Sequence, residues 1–314
     1  MIDAMIEGFL ADAAAAGDSD APGFEDMSVE EVRSAVAGMA DVCGPGLPVA
    51  LVRDLTLAPD SDLTARLYHP QPGRSLPLLV FLFGGGFVAG SIDVIDTPVR
   101  QLAVLGEVAV LAVAYRLSPE TPYPGPVDDA ETAVRWAAAH ADELGVDATR
   151  LSIGGESSGG ALAAATALRL RGTGLLAAQV LVYPVLDVDF GSESYAQHAD
   201  GPLLTRPAMR RFWSDYLGGE QHLAHPAAGA APAREADLSG APRTLIVVSE
   251  HDPLRSEGEG FALALRSAGT PTEFVRWDTM THASWYFDRI SSAAAAHNQA
   301  LARSVGRLLH TPPS

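Results

Sequence analysis

Lysine is absent from this chain: all 21 basic residues are arginine. A Schiff-base lysine and a phosphate loop ending in lysine are therefore both excluded. Cysteine is nearly absent too, since Cys43 stands alone among 314 residues. One thiol forms no intrachain disulfide, no C-x-x-C redox pair and no thiolate metal cage, and a reducing, cytoplasmic setting is the one this composition suggests. Positive charge is scarce, with 39 acidic residues against 21 basic and a formal net charge of −18. Such a surface repels phosphate backbones and anionic headgroups, so neither nucleic acid nor a membrane is expected as a partner. No apolar run reaches about 18 residues. The opening Met1-Ile2-Asp3-Ala4-Met5-Ile6-Glu7 also lacks the basic start of an export signal.

What is present is a globular composition, 47% hydrophobic and 19% charged, too apolar for a disordered chain. The length suits two domains, or one large α/β domain with an insertion. Ile2, Met5, Ile6, Phe9 and Leu10 make one stripe of an amphipathic helix. Its polar face carries Asp3, Glu7 and Asp12, which predicts docking on the rest of the protein rather than on a membrane surface. Ser28 followed three residues later by Glu31 predicts a capped helix over 28–39. Beyond the break Gly44-Pro45-Gly46-Leu47-Pro48, strands are expected at 49–57, 63–69, 78–83, 108–115, 151–153, 180–183, 244–249 and 272–277. A helix is expected over 126–144, with Asp128 and Asp129 in its first turn. Strands alternating with helices imply a mostly parallel, doubly wound α/β sheet. The stretch 190–234 breaks the alternation and reads as a lid-like insertion.

After the strand at 151–153 comes Gly154-Gly155-Glu156-Ser157-Ser158-Gly159-Gly160, then an Ala/Leu-rich helix. Glycines two residues either side of a serine let the backbone turn sharply and present the hydroxyl above a helix N-terminus. Taken alone, the motif could also be a glycine-rich turn or an anion-binding helix start. A serine hydroxyl is a weak nucleophile unless a base takes its proton, and the base needs an acceptor to fix its tautomer. Of nine histidines, His282 is the one that follows the last strand, and Asp252 follows the strand before it, in the order serine, acid, histidine. Acyl transfer also needs donors where negative charge grows on the carbonyl oxygen. Gly84-Gly85-Gly86, directly after the strand at 78–83, offers bare N–H groups from Gly84 and Gly85, and the Ser158 N–H would complete the hole. A flexible βα turn is the alternative reading of those glycines. His222 and His225 have a metal-like spacing but no third candidate ligand, so no metal is expected.

With these residues on the page, the chain resembles the hormone-sensitive-lipase-like branch of the α/β-hydrolases, bacterial esterases with an H-G-G-G motif and a G-D-S-A-G-G elbow. Supporting segments are Phe83-Gly84-Gly85-Gly86-Phe87, Tyr115-Arg116-Leu117-Ser118-Pro119-Glu120, Tyr183-Pro184-Val185-Leu186-Asp187 and His251-Asp252-Pro253-Leu254-Arg255. The resemblance implies an α/β-hydrolase fold: an eight-stranded, mostly parallel sheet with helices on both faces and a helical cap. The catalytic domain would be 46–189 with 235–314, capped by 1–45 and by the insertion 190–234. It also implies a serine carboxylesterase acting on short- to medium-chain esters through an acyl-enzyme, without a cofactor, and it allows a homodimer. Three departures stand out. Phe83 replaces the histidine before the glycines, Glu156 and Ser158 replace aspartate and alanine, and His282-Ala283-Ser284 replaces H-G-F. Phe83 keeps open an alternative, a dehydratase-, cyclase- or lactone-processing use of the same pocket. A catalytically dead binding protein would be expected to lack one of Ser157, Asp252 and His282.

Overall fold

The computed structural model describes residues 1–16, 23–58 and 63–312; residues 17–22 of the expected N-terminal cap lie outside them. The chain opens with helices α1 (Ala4–Ala16) and α2 (Val29–Ala37). The Ser28 side chain accepts the Glu31 N–H while the Glu31 carboxylate accepts the Ser28 N–H, the reciprocal cap that the sequence encodes. Ile6 is buried, and the ring of Phe9 lies 5.7 Å from that of Phe287, so α1 docks on the protein through its stripe.

Eight strands follow: β1 (Leu51–Ala58), β2 (Leu63–His69), β3 (Leu76–Leu82), β4 (Ala109–Ala114), β5 (Val146–Glu156), β6 (Ala178–Val182), β7 (Arg243–His251) and β8 (Thr272–Thr281). They form one sheet in the order β1-β2-β4-β3-β5-β6-β7-β8. Pairing is antiparallel between β1 and β2 and between β2 and β4, and parallel elsewhere. Every residue of β3 and β6 is buried, because helices cover both faces of the sheet centre, and this is why those strands read as unbroken apolar runs. Between and after the strands lie α3 (Asp96–Gly106), α4 (Gly125–Ala139), α5 (Ala141–Leu144), α6 (Ser158–Arg169), α7 (Glu193–Gln197), α8 (Arg206–Leu217), α9 (Arg255–Ser267) and α10 (Ser292–His310). The helix expected over 126–144 is broken at His140, which ends α4 and leaves α5 as a separate turn. Helix α6 is buried along nearly its whole length, which its serine, glycine and alanine side chains permit by letting neighbouring backbone come close.

Residues 190–234, expected as an insertion, contribute α7 and α8 and meet the N-terminal segment. Arg211 of α8 donates from Nη1 to the carbonyl oxygens of Phe24, at 2.8 Å, and Met27. The Phe24 and Phe212 rings pack 5.8 Å apart. Arg33 of α2 joins this layer to the sheet domain, donating to Val88 O at 3.0 Å and pairing with Glu120 at 2.6 Å.

Candidate active site

At the centre of the sheet, β5 runs straight into α6 through Ser157, which has φ 54° and ψ −122°. Serine strongly disfavours this left-handed-side conformation, and surrounding contacts hold it. The Ser157 N–H donates to Val182 O at 2.9 Å, and its carbonyl accepts from the Val185 N–H at 3.0 Å. The flanking glycines are needed for close approach: a Cβ on Gly159 would lie 2.1 Å from Leu82 O, and one on Gly155 would lie 2.3 Å from the Gly159 backbone. Strand and helix can meet at so tight an angle only without those side chains.

Ser157 Oγ stands 3.0 Å from His282 Nε2, and His282 Nδ1 stands 2.8 Å from Asp252 Oδ2. Strands β7 and β8 run on to His251 and Thr281, so Asp252 and His282 are each the first residue past a strand, closer to the sheet edge than their sequence context suggested. Asp252 is fully buried, and its Oδ1 accepts the Leu254 N–H at 2.9 Å. The loop after His282 is held by α10, where Asn298 Nδ2 donates to Trp285 O at 2.8 Å. Burial works against a charged His282, but the charge and hydrogen bond of Asp252, with the charge of Glu156 beyond, outweigh it and hold the imidazole above its ordinary range. A hydroxyl, an imidazole and a carboxylate in this row can pass a proton from oxygen to nitrogen and stabilise the cation that results.

The glycine turn after β3 requires one correction. Gly84 was expected to aim its N–H at a developing oxyanion, but that N–H donates to the buried Glu156 carboxylate through Oε1 and is already occupied. The N–H groups of Gly85 and Gly86 have no acceptor among the described residues. Gly85, at φ 121°, could not carry a side chain there, since a Cβ would lie 2.4 Å from Ala89 O. Ser158 opens α6, so its N–H has no partner within the helix, and the helix N-terminus favours negative charge beside it. The open donors around Ser157 therefore belong to Gly85, Gly86 and Ser158. Sequence reasoning missed Gly86, although the third glycine of the triplet was the available signal. It also missed Tyr286, whose hydroxyl donates to Glu156 Oε1 at 2.9 Å.

Above the serine lies a cavity of about 110 Å³. Gly84, Gly85, Gly86, Ser157 and His282 form its floor, and its roof includes Phe24, Met39, Leu203, Met209 and Phe212. The roof thus combines the N-terminal segment with the insertion. Among the described residues no group of three or more His, Cys, Asp or Glu side chains could hold a metal ion, and no helix is long and apolar enough to cross a membrane.

Comparison with known proteins agrees with this architecture. Residues 79–286 match the model of a family described as having the alpha/beta hydrolase fold. The chain is 36% identical over 272 residues to the carboxylesterase NlhH of Mycobacterium tuberculosis, an alignment spanning 84% of this chain and 85% of that protein. It is also 36% identical over 264 residues to the esterase LipI of the same organism, covering 82% of each. Among solved structures, the ester-hydrolase EH1AB1 from the metagenome of Lake Arreo, complexed with a derivative of bipyridine phosphonate, superposes with a TM-score of 0.92. That pair shares 32% sequence identity and covers 99% of this chain and 100% of that one.

Proposed function

The chain belongs to the hormone-sensitive-lipase-like esterases of the α/β-hydrolase family and is a carboxylic ester hydrolase, and from that premise we propose that Ser157, His282 and Asp252 carry its chemistry. The row of contacts at 3.0 and 2.8 Å is the observation that carries the assignment. Ser157 Oγ attacks the ester carbonyl carbon while His282 Nε2 takes its proton. The oxyanion that forms is met by the N–H groups of Gly85, Gly86 and Ser158. Collapse of the tetrahedral species expels the alcohol, to which His282 returns the proton, and leaves an acyl group on Ser157. A water deprotonated by His282 then releases the acid. Asp252 keeps the proton of the resting imidazole on Nδ1, so that Nε2 is free to accept.

The cavity under its apolar roof supports short- to medium-chain acyl groups as substrates. Residues 1–45 and 190–234 serve as a two-piece cap on a catalytic domain of 46–189 and 235–314. The curated relatives are named esterases and hydrolases, which gives no support to the dehydratase or cyclase alternative. The lone, buried Cys43 fits a cytoplasmic setting, and a homodimer is a reading that light scattering tests. For the catalytic assignment, Ser157→Ala should lower turnover of p-nitrophenyl butyrate by about 10⁴-fold or more with an unchanged circular dichroism spectrum. Turnover within tenfold of the parent protein would remove Ser157 from the mechanism.

A further inference from the structure

The mechanism above makes no use of Glu156, the residue preceding the nucleophile. Parallel pairing of β3 with β5 sets Leu82 opposite Gly155. The last residue of β5, Glu156, therefore lies beside the Phe83–Gly84 peptide that follows β3. That peptide is gripped at both ends. Its carbonyl accepts from the Tyr115 hydroxyl at 2.7 Å, and its N–H donates to Glu156 Oε1. The same Oε1 accepts from Tyr286 at 2.9 Å, and Tyr286 stands four residues after His282. Phe83 adds no polar contact: its ring stacks on Tyr115 with centroids 4.4 Å apart. A peptide held through both oxygen and nitrogen cannot rotate without losing a hydrogen bond. The next two amides are those of Gly85 and Gly86, whose bare backbone offers little resistance of its own to rotation.

We infer that Glu156 is a positioning residue, locking the oxyanion turn to the nucleophile elbow through Gly84 and to the His282 loop through Tyr286. The inference rests on the esterase reading above. Because position 83 carries no polar group, the side-chain anchors of the turn are Glu156 and Tyr115, which fix its entry while the Val88 and Ala89 N–H groups hold the Gly85 carbonyl further on. Burial favours the neutral form of Glu156, but Oε1 can accept from both donors whether the group is ionised or carries its proton on Oε2.

The test measures p-nitrophenyl butyrate kinetics together with inhibition by an alkyl trifluoromethyl ketone. In that adduct Ser157 Oγ bonds the ketone carbon, the hydroxyl proton passes to His282, and the former carbonyl oxygen becomes an alkoxide in the hole. Glu156→Ala should lower kcat by about 10²-fold with KM within about threefold, and should raise the ketone inhibition constant by a matching factor. Glu156→Gln, which keeps an oxygen acceptor, should recover at least about tenfold of that loss, and Tyr115→Phe, which frees the other end of the same peptide, should cost about tenfold in kcat. A folded Glu156→Ala protein with kcat and inhibition constant near the parent values overturns the inference, as does a Glu156→Gln protein as impaired as the alanine variant. Should Glu156→Ala fail to fold, the other two variants decide: a parental inhibition constant in Tyr115→Phe overturns the inference, and a raised one there with kcat of Glu156→Gln within about tenfold of the parent supports it. A parent protein that turns over no ester and forms no phosphonate adduct at Ser157 would sink the esterase reading itself. An active parent with an indifferent Glu156→Ala sinks this inference alone.

Discussion

At residue scale, the proposed mechanism makes His282 the group that sets the pH at which the protein works. It must be neutral to accept the Ser157 proton, and its pKa is held above the ordinary 6.5 by Asp252 and Glu156 in spite of burial. Activity is therefore lost as pH falls through that raised value, and the acid limb of kcat/KM should lie above 6.5 rather than below it. A pH–rate profile from 5 to 9 checks this; a limb well under 6.5 would mean that burial wins over the two carboxylates. Asp252→Asn should leave the fold intact and lower kcat by about 10⁴-fold, because the amide no longer stabilises the imidazolium or fixes the correct tautomer.

At the scale of elements, the roof over the serine is assembled from two distant stretches of chain, and Arg211 is the clasp between them. Its guanidinium holds the Phe24 and Met27 carbonyls and the Asp215 carboxylate. Arg211→Ala should loosen the Phe24–Phe212 pair and raise KM for butyryl esters by about 3- to 10-fold, with kcat little changed because the catalytic row lies on the sheet. Steady-state kinetics separate the two constants, and a fall in kcat at constant KM would refute a purely roofing role. All eight strands were legible because their apolar runs and turn residues are local signals. Strand β5 begins at Val146, earlier than its apolar run, because Ala148 and Thr149 are exposed and carry no hydrophobic periodicity. The meeting of Asp252 with His282 was legible from chain order together with the place of each after a late strand. The partner of the Gly84 N–H was not, since it depends on a side chain 72 residues away that the fold brings alongside.

At the scale of the whole molecule, excess negative charge and an active site without arginine act in the same direction. The net charge is −18, and among the described residues that line the cavity none is basic apart from His282. An acyl group ending in a carboxylate would enter an apolar cavity in an acidic protein with no counter-ion to receive it, so p-nitrophenyl hemisuccinate should be hydrolysed at least about tenfold less efficiently than the butyrate ester at low salt. Equal kcat/KM for the two would place the charged end outside the cavity. At position 157, durability and turnover pull in opposite directions. Glycine enters the φ 54° region freely and serine does not, so Ser157→Gly should melt a few degrees above the parent, by roughly 1 kcal/mol, in a calorimetric scan. Mutation unchecked by any demand for activity would run downhill toward glycine, and an idle copy of this protein would be expected to lose its hydroxyl by becoming sturdier.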